Sequence, residues 1–146
     1  MKIALGADHA GYPLKNSIKE FLDNQGFVYT DFGTFKISEG NYPEYAYKVA
    51  DVIVQGQYDR GILVGTMGIG MCIAANKLKG IRAAVIQDRE AAQQSRLFHD
   101  VNVLCLGANY LEEAKALDIV EIWLNTSFEG GKYQNWVSLI SKLTGL

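Results

Sequence analysis

The chain alternates short apolar runs with longer amphipathic ones, and that alternation predicts its elements. Lys2–Leu5, Phe27–Phe32, Gly61–Val64, Arg82–Ile86 and Asn102–Leu106 are brief and mostly aliphatic or aromatic. Strands buried between two layers have that character. The stretches between them carry apolar residues at helical spacing. Leu14, Ile18, Phe21 and Leu22 share one face of the first, with Pro13 in its opening turn and Gly26 at its end. Tyr42-Pro43 opens a second helix to about Gln55, with Ala46, Val49, Ala50 and Ile53 inward. A third follows the third strand. Asp88 N-caps a fourth, running to about Phe98. Glu112–Leu124 and Tyr133–Leu143 are the last two, while Gly33–Asn41 and Thr126–Lys132 read as loops. Strands alternating with helices in this way predict an α/β three-layer sandwich with a five-stranded parallel sheet. The 146 residues suffice for one domain with a real core, so residues 1–146 are expected to form a single unit.

The stretch Arg60–Asn76 draws the candidate chemistry together. Ile62-Leu63-Val64 breaks into Gly65-Thr66-Met67-Gly68-Ile69-Gly70, and a helix-compatible run follows. Three glycines within six residues let the backbone approach a ligand. The free N–H groups of the following helix favour an anion there. The spacing Gly-x-x-Gly-x-Gly is not the dinucleotide fingerprint, and no Gly-Lys-Ser/Thr ending marks a nucleotide P-loop. The stretch is either a phosphate or carboxylate cradle, or a tight strand–helix joint without a ligand.

In a parallel α/β sheet, ligands bind beyond the C-terminal ends of the strands, where the strand order switches. Asp8 and His9 follow strand one, Gly33 and Thr34 strand two, Gly65–Gly70 strand three, and Gln87 and Asp88 strand four. All are expected on one rim. Asp8-His9 sets an anion or base beside an imidazole, which suits a hydroxylated ligand or a proton transfer. The alternative is that Asp8 caps the first helix and His9 is a surface residue. Tyr42 is either a ligand contact or a packing residue, and Thr66 supplies the one hydroxyl of the glycine turn. His99 and Lys132 end up away from this rim in a simple layout. Each then serves a neighbouring subunit or is a solvated cation, His99 capping its helix.

Composition narrows the partners. A net charge of -2 gives no reason to expect nucleic acid or an anionic membrane. Cys72 and Cys105, the two cysteines, form neither a disulfide framework nor a zinc site, and read as small core residues. No signal-peptide pattern follows Met1, and no apolar stretch reaches spanning length. The expectation is a cytoplasmic, reduced protein without a metal or cofactor.

Eight motifs then occur in order. They are Gly6-Ala7-Asp8-His9-Ala10-Gly11, Asp31-Phe32-Gly33-Thr34, Asn41-Tyr42-Pro43-Glu44-Tyr45-Ala46, Gly61-Ile62-Leu63-Val64, Ile73-Ala74-Ala75-Asn76-Lys77, Gly80-Ile81-Arg82-Ala83, Asn102-Val103-Leu104 and Phe128-Glu129-Gly130-Gly131. From about residue 1 to 140 the chain resembles the type B ribose-5-phosphate isomerases, which include the galactose-6-phosphate isomerase subunits. The resemblance implies a Rossmann-like fold, a homodimer or dimer of dimers, and active sites between subunits. It implies metal-independent aldose–ketose isomerisation of a sugar phosphate, by default ribose 5-phosphate, through a cis-enediolate. Asp8, His9, Thr66 and His99 are the catalytic candidates it implies. Tyr42, Gly65, Met67, Gly68, Ile69, Gly70, Asp100 and Lys132 are the substrate-binding ones.

The departures from that family fall on the chemistry. Its usual cysteine base aligns with Gly65, and the alternative glutamate with Met71. Its ring-opening histidine aligns with Phe98, one place before His99. Its phosphate-binding arginines become Lys132 and Trp136, and Tyr133 stands where histidine is usual. Proton transfer then falls to Asp8, to His99, or to Cys72 turned into the site. The other readings are a non-catalytic sugar-phosphate subunit paired with a catalytic paralogue, an isomerase of a hexose or unphosphorylated sugar, and a nucleotide-binding module.

Overall fold

A computed structural model of the chain describes residues 1–35 and 41–146. The part of the expected Gly33–Asn41 loop at 36–40 lies outside the described residues. The elements are β1 (Lys2–Ala7), α1 (Tyr12–Gln25), β2 (Val28–Asp31), α2 (Tyr42–Val54), β3 (Arg60–Gly65), α3 (Ile69–Ala75), β4 (Ala83–Val85), α4 (Arg89–His99), β5 (Val103–Gly107), α5 (Glu113–Asn125) and α6 (Lys132–Thr144). The five strands form one parallel sheet in the order β2-β1-β3-β5-β4.

Alternate residues of the central strands feed two cores, one on each face of the sheet. Ile3, Leu5, Ile62, Val64, Leu104 and Leu106 point to the side covered by α1, α4 and α5, where Ile18, Leu22, Ile119 and Trp123 meet them. Ala4, Leu63, Val103 and Cys105 point to the side covered by α2 and α3, against Ala46, Val49, Ala50 and Met71. The fold is thus the expected three-layer α/β sandwich.

Strand ends differ from the periodicity for local reasons. The second strand spans Val28–Asp31 rather than Phe27–Phe32, because Phe27 N–H is spent on the Leu22 carbonyl at the close of α1. The fourth begins at Ala83, since the Arg82 N–H goes to the side chain of Asn102 (2.8 Å). As β4 pairs with β5 alone, its outer edge needs cover. Asn76 supplies it. Its side-chain amide donates to Ala83 O (2.9 Å) and accepts from Ala83 N (2.8 Å), ending α3 and sealing the edge together.

Two guanidinium groups, of half-buried Arg60 and buried Arg96, gather the carbonyls at the end of α5. Arg60 donates to Trp123 O (2.7 Å), Leu124 O (3.0 Å) and Thr126 O (3.3 Å). Arg96 donates to Thr126 O (3.2 Å) and Val101 O (2.6 Å). A helix C-terminus leaves such carbonyls without partners and favours cations. Burial pushes the Arg60 guanidinium down to about 10, so it stays charged at neutral pH. In contrast α6 buries only Val137, leaving Trp136, Leu139, Ile140 and Leu143 exposed.

Helix α1 starts directly beneath the end of β3. A Cβ at Gly11 would stand 2.1 Å from the Val64 carbonyl oxygen. Gly11→Ala should therefore cost about 3 kcal/mol of unfolding free energy in urea denaturation. Gly26→Ala meets open space at φ +76 and should cost about 1 kcal/mol. Equal losses would refute the proposed close approach.

Candidate functional site

The strand order switches at β1 and β3. From β1 the chain moves outward to β2, and then crosses to β3 on the other side. Beyond the C-terminal ends of those two strands lies a cavity of about 290 Å³, where α/β sheets place ligands. Asp8, Tyr42 and the turn from Gly65 to Met71 line it.

Asp8 is 6% exposed. Its N–H donates to Val64 O (3.1 Å), which ties the loop after β1 to the end of β3. Oδ1 accepts from Gly11 N (2.9 Å), and Oδ2 faces Gly65, where a Cβ would lie 3.4 Å away. The carboxylate thus closes the turn into α1 with one oxygen and looks into the cavity with the other. Gly11 rather than Asp8 is the N-cap of α1, so Asp8 closes the loop before the helix while also lining the cavity.

The glycine turn is held by its carbonyls. Gly65 O accepts from Ala108 N (2.8 Å), and Thr66 O from Asn109 N (3.1 Å), both just after β5. The N–H groups of Met67 to Gly70 find no carbonyl acceptor among the described residues. A cluster of such donors suits a developing oxyanion or a phosphate. Gly68 has φ +79, and a Cβ there would press on the Leu106 carbonyl. At Gly70 a Cβ would sit 2.7 Å from the Tyr42 ring, so that glycine is what lets Tyr42 lean over the turn. Met71 is buried beneath it, and exposed Met67 takes a hydrogen bond at sulfur from the Tyr110 hydroxyl (3.4 Å). Ile69 is exposed at the mouth.

The expected common rim is narrower than the sequence suggested. His9 is exposed and does not line the cavity. Gln87 and Asp88 follow the outermost strand, two positions from β3, and Asp88 caps α4 by accepting from Ala91 N (2.7 Å). Gly33 and Thr34 stand behind the site. Gly33 O accepts from Ala7 N, and Thr34 N donates to Ala7 O, each at 2.7 Å.

His99, Asp100 and Lys132 gather elsewhere. Helix α4 ends at the N-terminal edge of the sheet, just before β5. There Asp100 adopts φ 48 as the C-cap, with its two oxygens held by Arg82 and Arg96, each at 2.9 Å. Its carboxylate is thus engaged within the chain. The Phe98 and Tyr133 rings pack at 4.7 Å, bringing the start of α6 to the end of α4, and Lys132 lies over the Tyr133 ring. His99 is exposed beside a groove lined by Arg82, Gln94, Ser95 and Ile140. None of the three lines the Asp8 cavity.

Cys72 lies under α3 against β4 and β5, with its thiol 3.4 Å from Ala83 O. A hydrogen bond from Cys105 lowers it to about 7 against the effect of burial, while the same bond and burial push Cys105 up. It does not face the cavity, so the idea of Cys72 turned into the site has no geometry behind it. Among the described residues no three His, Cys, Asp or Glu side chains converge to hold a metal ion, and no helix is long and apolar enough to cross a membrane. Two buried residues near the site were not singled out as candidates in the sequence, Met71 under the turn and Lys15 in α1. Lys15 had a visible signal, since it shares the face of α1 with Ile18 and Leu22 and is fully buried.

Similar proteins agree with this architecture. Residues 3–140 match the family model described as Ribose/Galactose Isomerase. The chain is 40% identical over 143 residues to ribose-5-P isomerase B of Listeria innocua, covering 98% of this chain and 97% of that one. It is 42% identical over 132 residues to D-erythrulose-4-phosphate isomerase of Pectobacterium atrosepticum, covering 90% and 87%. The solved structure of Clostridium thermocellum ribose-5-phosphate isomerase B superposes with a TM-score of 0.97 at 42% identity, covering 99% and 98%. With the switch-point cavity, the glycine turn and matches across nearly the whole length, this chain belongs to the ribose/galactose isomerase family.

Proposed function

We propose that this chain interconverts an aldose phosphate and its ketose phosphate, with Asp8 as the group that moves the proton. The observation that carries the reading is Asp8 Oδ2 facing Gly65 across a turn whose N–H groups at Met67 to Gly70 have no carbonyl acceptor among the described residues. Among the described residues, Asp8 is the one carboxylate lining that cavity. It takes the proton from the carbon α to the carbonyl and leaves an enediolate. The enediolate oxygens then lie against the turn N–H groups and the Thr66 hydroxyl. The protonated Asp8 returns that proton to the neighbouring carbon while the hydroxyl proton passes from one enediolate oxygen to the other, so no atom is gained or lost. Tyr42, leaning over Gly70, contacts the sugar hydroxyls.

A second copy of the chain completes the site. His99 of the partner subunit opens the sugar ring, and Lys132 of the partner subunit meets the phosphate. The exposed apolar residues Ile69 at the cavity mouth, Tyr47 on α2 and Ile73 on α3, with those of α6, support such an interface. Lysine offers one point charge where arginine offers a fork, so the phosphate is held less rigidly. Relatives named for ribose 5-phosphate and for D-erythrulose 4-phosphate are almost equally similar. Ribose 5-phosphate is the default substrate, and a four-carbon ketose phosphate the first alternative.

Incubation in deuterium oxide with aldose and ketose phosphates should place deuterium at C1 or C2 of one pair. Absence of label from every sugar would reject the isomerase reading and leave a non-catalytic binding subunit. Asp8→Asn should lower the exchange rate by about 10²- to 10⁴-fold, the range for a general base. Cys72→Ala should keep wild-type rates; a comparable collapse there would move the base to the thiol.

The shared site has its own measurement. Asp8→Asn and His99→Asn chains are each expected to be nearly inactive. Mixed and allowed to exchange subunits, they should regain about a quarter of wild-type activity, because half the dimers are mixed and each holds one intact site. No recovery on mixing would place His99 outside the partner's site.

A further inference from the structure

The most unusual charged group in the chain lies outside the cavity. Lys15 is 0% exposed, in the first turn of α1. Its ammonium donates to Asp31 Oδ1 (2.7 Å) and to the Thr34 carbonyl (2.5 Å). The rings of Phe35 and Tyr12 lie over it at 5.1 and 5.5 Å. Burial lowers the ammonium from its ordinary value, and Asp31 opposes this only in part. Burial pushes the Asp31 carboxyl up, but bonds from Lys15, Gly33 N and Lys19 outweigh it and hold it low. An apolar side chain would suit this α1 face without such cost.

The bonds around it lead to Asp8 from two sides. Asp31 Oδ1 also accepts from Gly33 N (2.9 Å), fixing the turn after β2. That turn pairs with Ala7, the residue before Asp8, through Gly33 O and Thr34 N. On the other side Lys15 N donates to Gly11 O (2.9 Å), and Gly11 N donates to Asp8 Oδ1. One side chain therefore joins the end of β2 to the entry of α1, and Asp8 lies between them.

We propose that Lys15 is a positioning residue for Asp8, its ammonium locking the Asp31–Thr34 turn to α1 so that the carboxylate is held facing the glycine turn. The proposal rests on Asp8 being the reacting carboxylate. A misplacement of about 1 Å at a reacting group is enough to cost up to roughly a hundredfold in rate.

The test compares Lys15→Met with wild type at a temperature well below both melting points. The kcat should fall by roughly tenfold or more while KM stays within about twofold, because the loss is in alignment rather than in ligand contacts. The Gly11 and Thr34 amides should exchange hydrogen at least about tenfold faster, as a local opening rather than a global one. Lys19→Met removes only the half-exposed second partner of Asp31 and should leave kcat within about twofold of wild type. If Lys15→Met does not fold, Asp31→Asn keeps the shape of the turn and should show the same kcat loss and the same faster exchange. Wild-type kcat with unchanged protection at Gly11 and Thr34 in the variant that folds would overturn the proposal. A wild-type chain inert toward every sugar phosphate would end the isomerase reading instead. The exchange measurement alone then decides Lys15, with unchanged protection counting against it.

Discussion

The site depends on one close approach between backbones. Asp8 N–H reaches the Val64 carbonyl, and Gly11 passes so near that carbonyl that no side chain fits. This clamps the end of β1, the start of α1 and the end of β3 into one joint. A carboxylate at position 8 then lies over the turn that begins at Gly65. The turn itself is shaped by a second approach, where Gly68 lies against Leu106 and Gly107 against the Met67 carbonyl. Its carbonyls are drawn toward the loop after β5, and its N–H groups are left for a ligand. Glycine is required at these points by contact distance, and the donor array follows from that requirement.

The opposite edge of the sheet follows a different logic. There the ends of α4 and α5 present carbonyls, and Arg60, Arg82 and Arg96 meet them or the Asp100 carboxylate. These cations, of which Arg96 is buried, fix the segment around Thr126 and leave His99 at an exposed helix end. The chain thus carries two separate sets of polar groups at opposite edges of the sheet. An assembly that brings the edge of one copy to the rim of another would join the Asp8 carboxylate to an imidazole and a cation. The apolar surface of α6 and of the α2–α3 face is consistent with such an arrangement.

Two networks of charge are built into the fold among the described residues. Lys15, Asp31 and Lys19 form one group, and Arg82, Arg96 and Asp100 another. A buried pair of this kind contributes little net stability against its desolvation, but it penalises any geometry that separates its members. Around Lys15 that penalty falls on the loop bearing Asp8.

The sequence by itself determined the layers, because aliphatic runs of strand length and apolar positions at helical spacing follow from local periodicity. Its glycine turn and the Asp8 loop were legible for the same reason, since turn chemistry is local. The ordered motifs also pointed to the family. Only the tertiary structure decided which of the candidates meet. Adjacency across strands depends on the order β2-β1-β3-β5-β4, which no local pattern encodes, and it left Gln87, Asp88 and His9 off the cavity. It also committed the Asp100 carboxylate to two arginines, buried Lys15 at the back of the site, and kept Cys72 facing β4. These are outcomes of long-range packing, where a side chain's partner is set by which strands and helices become neighbours.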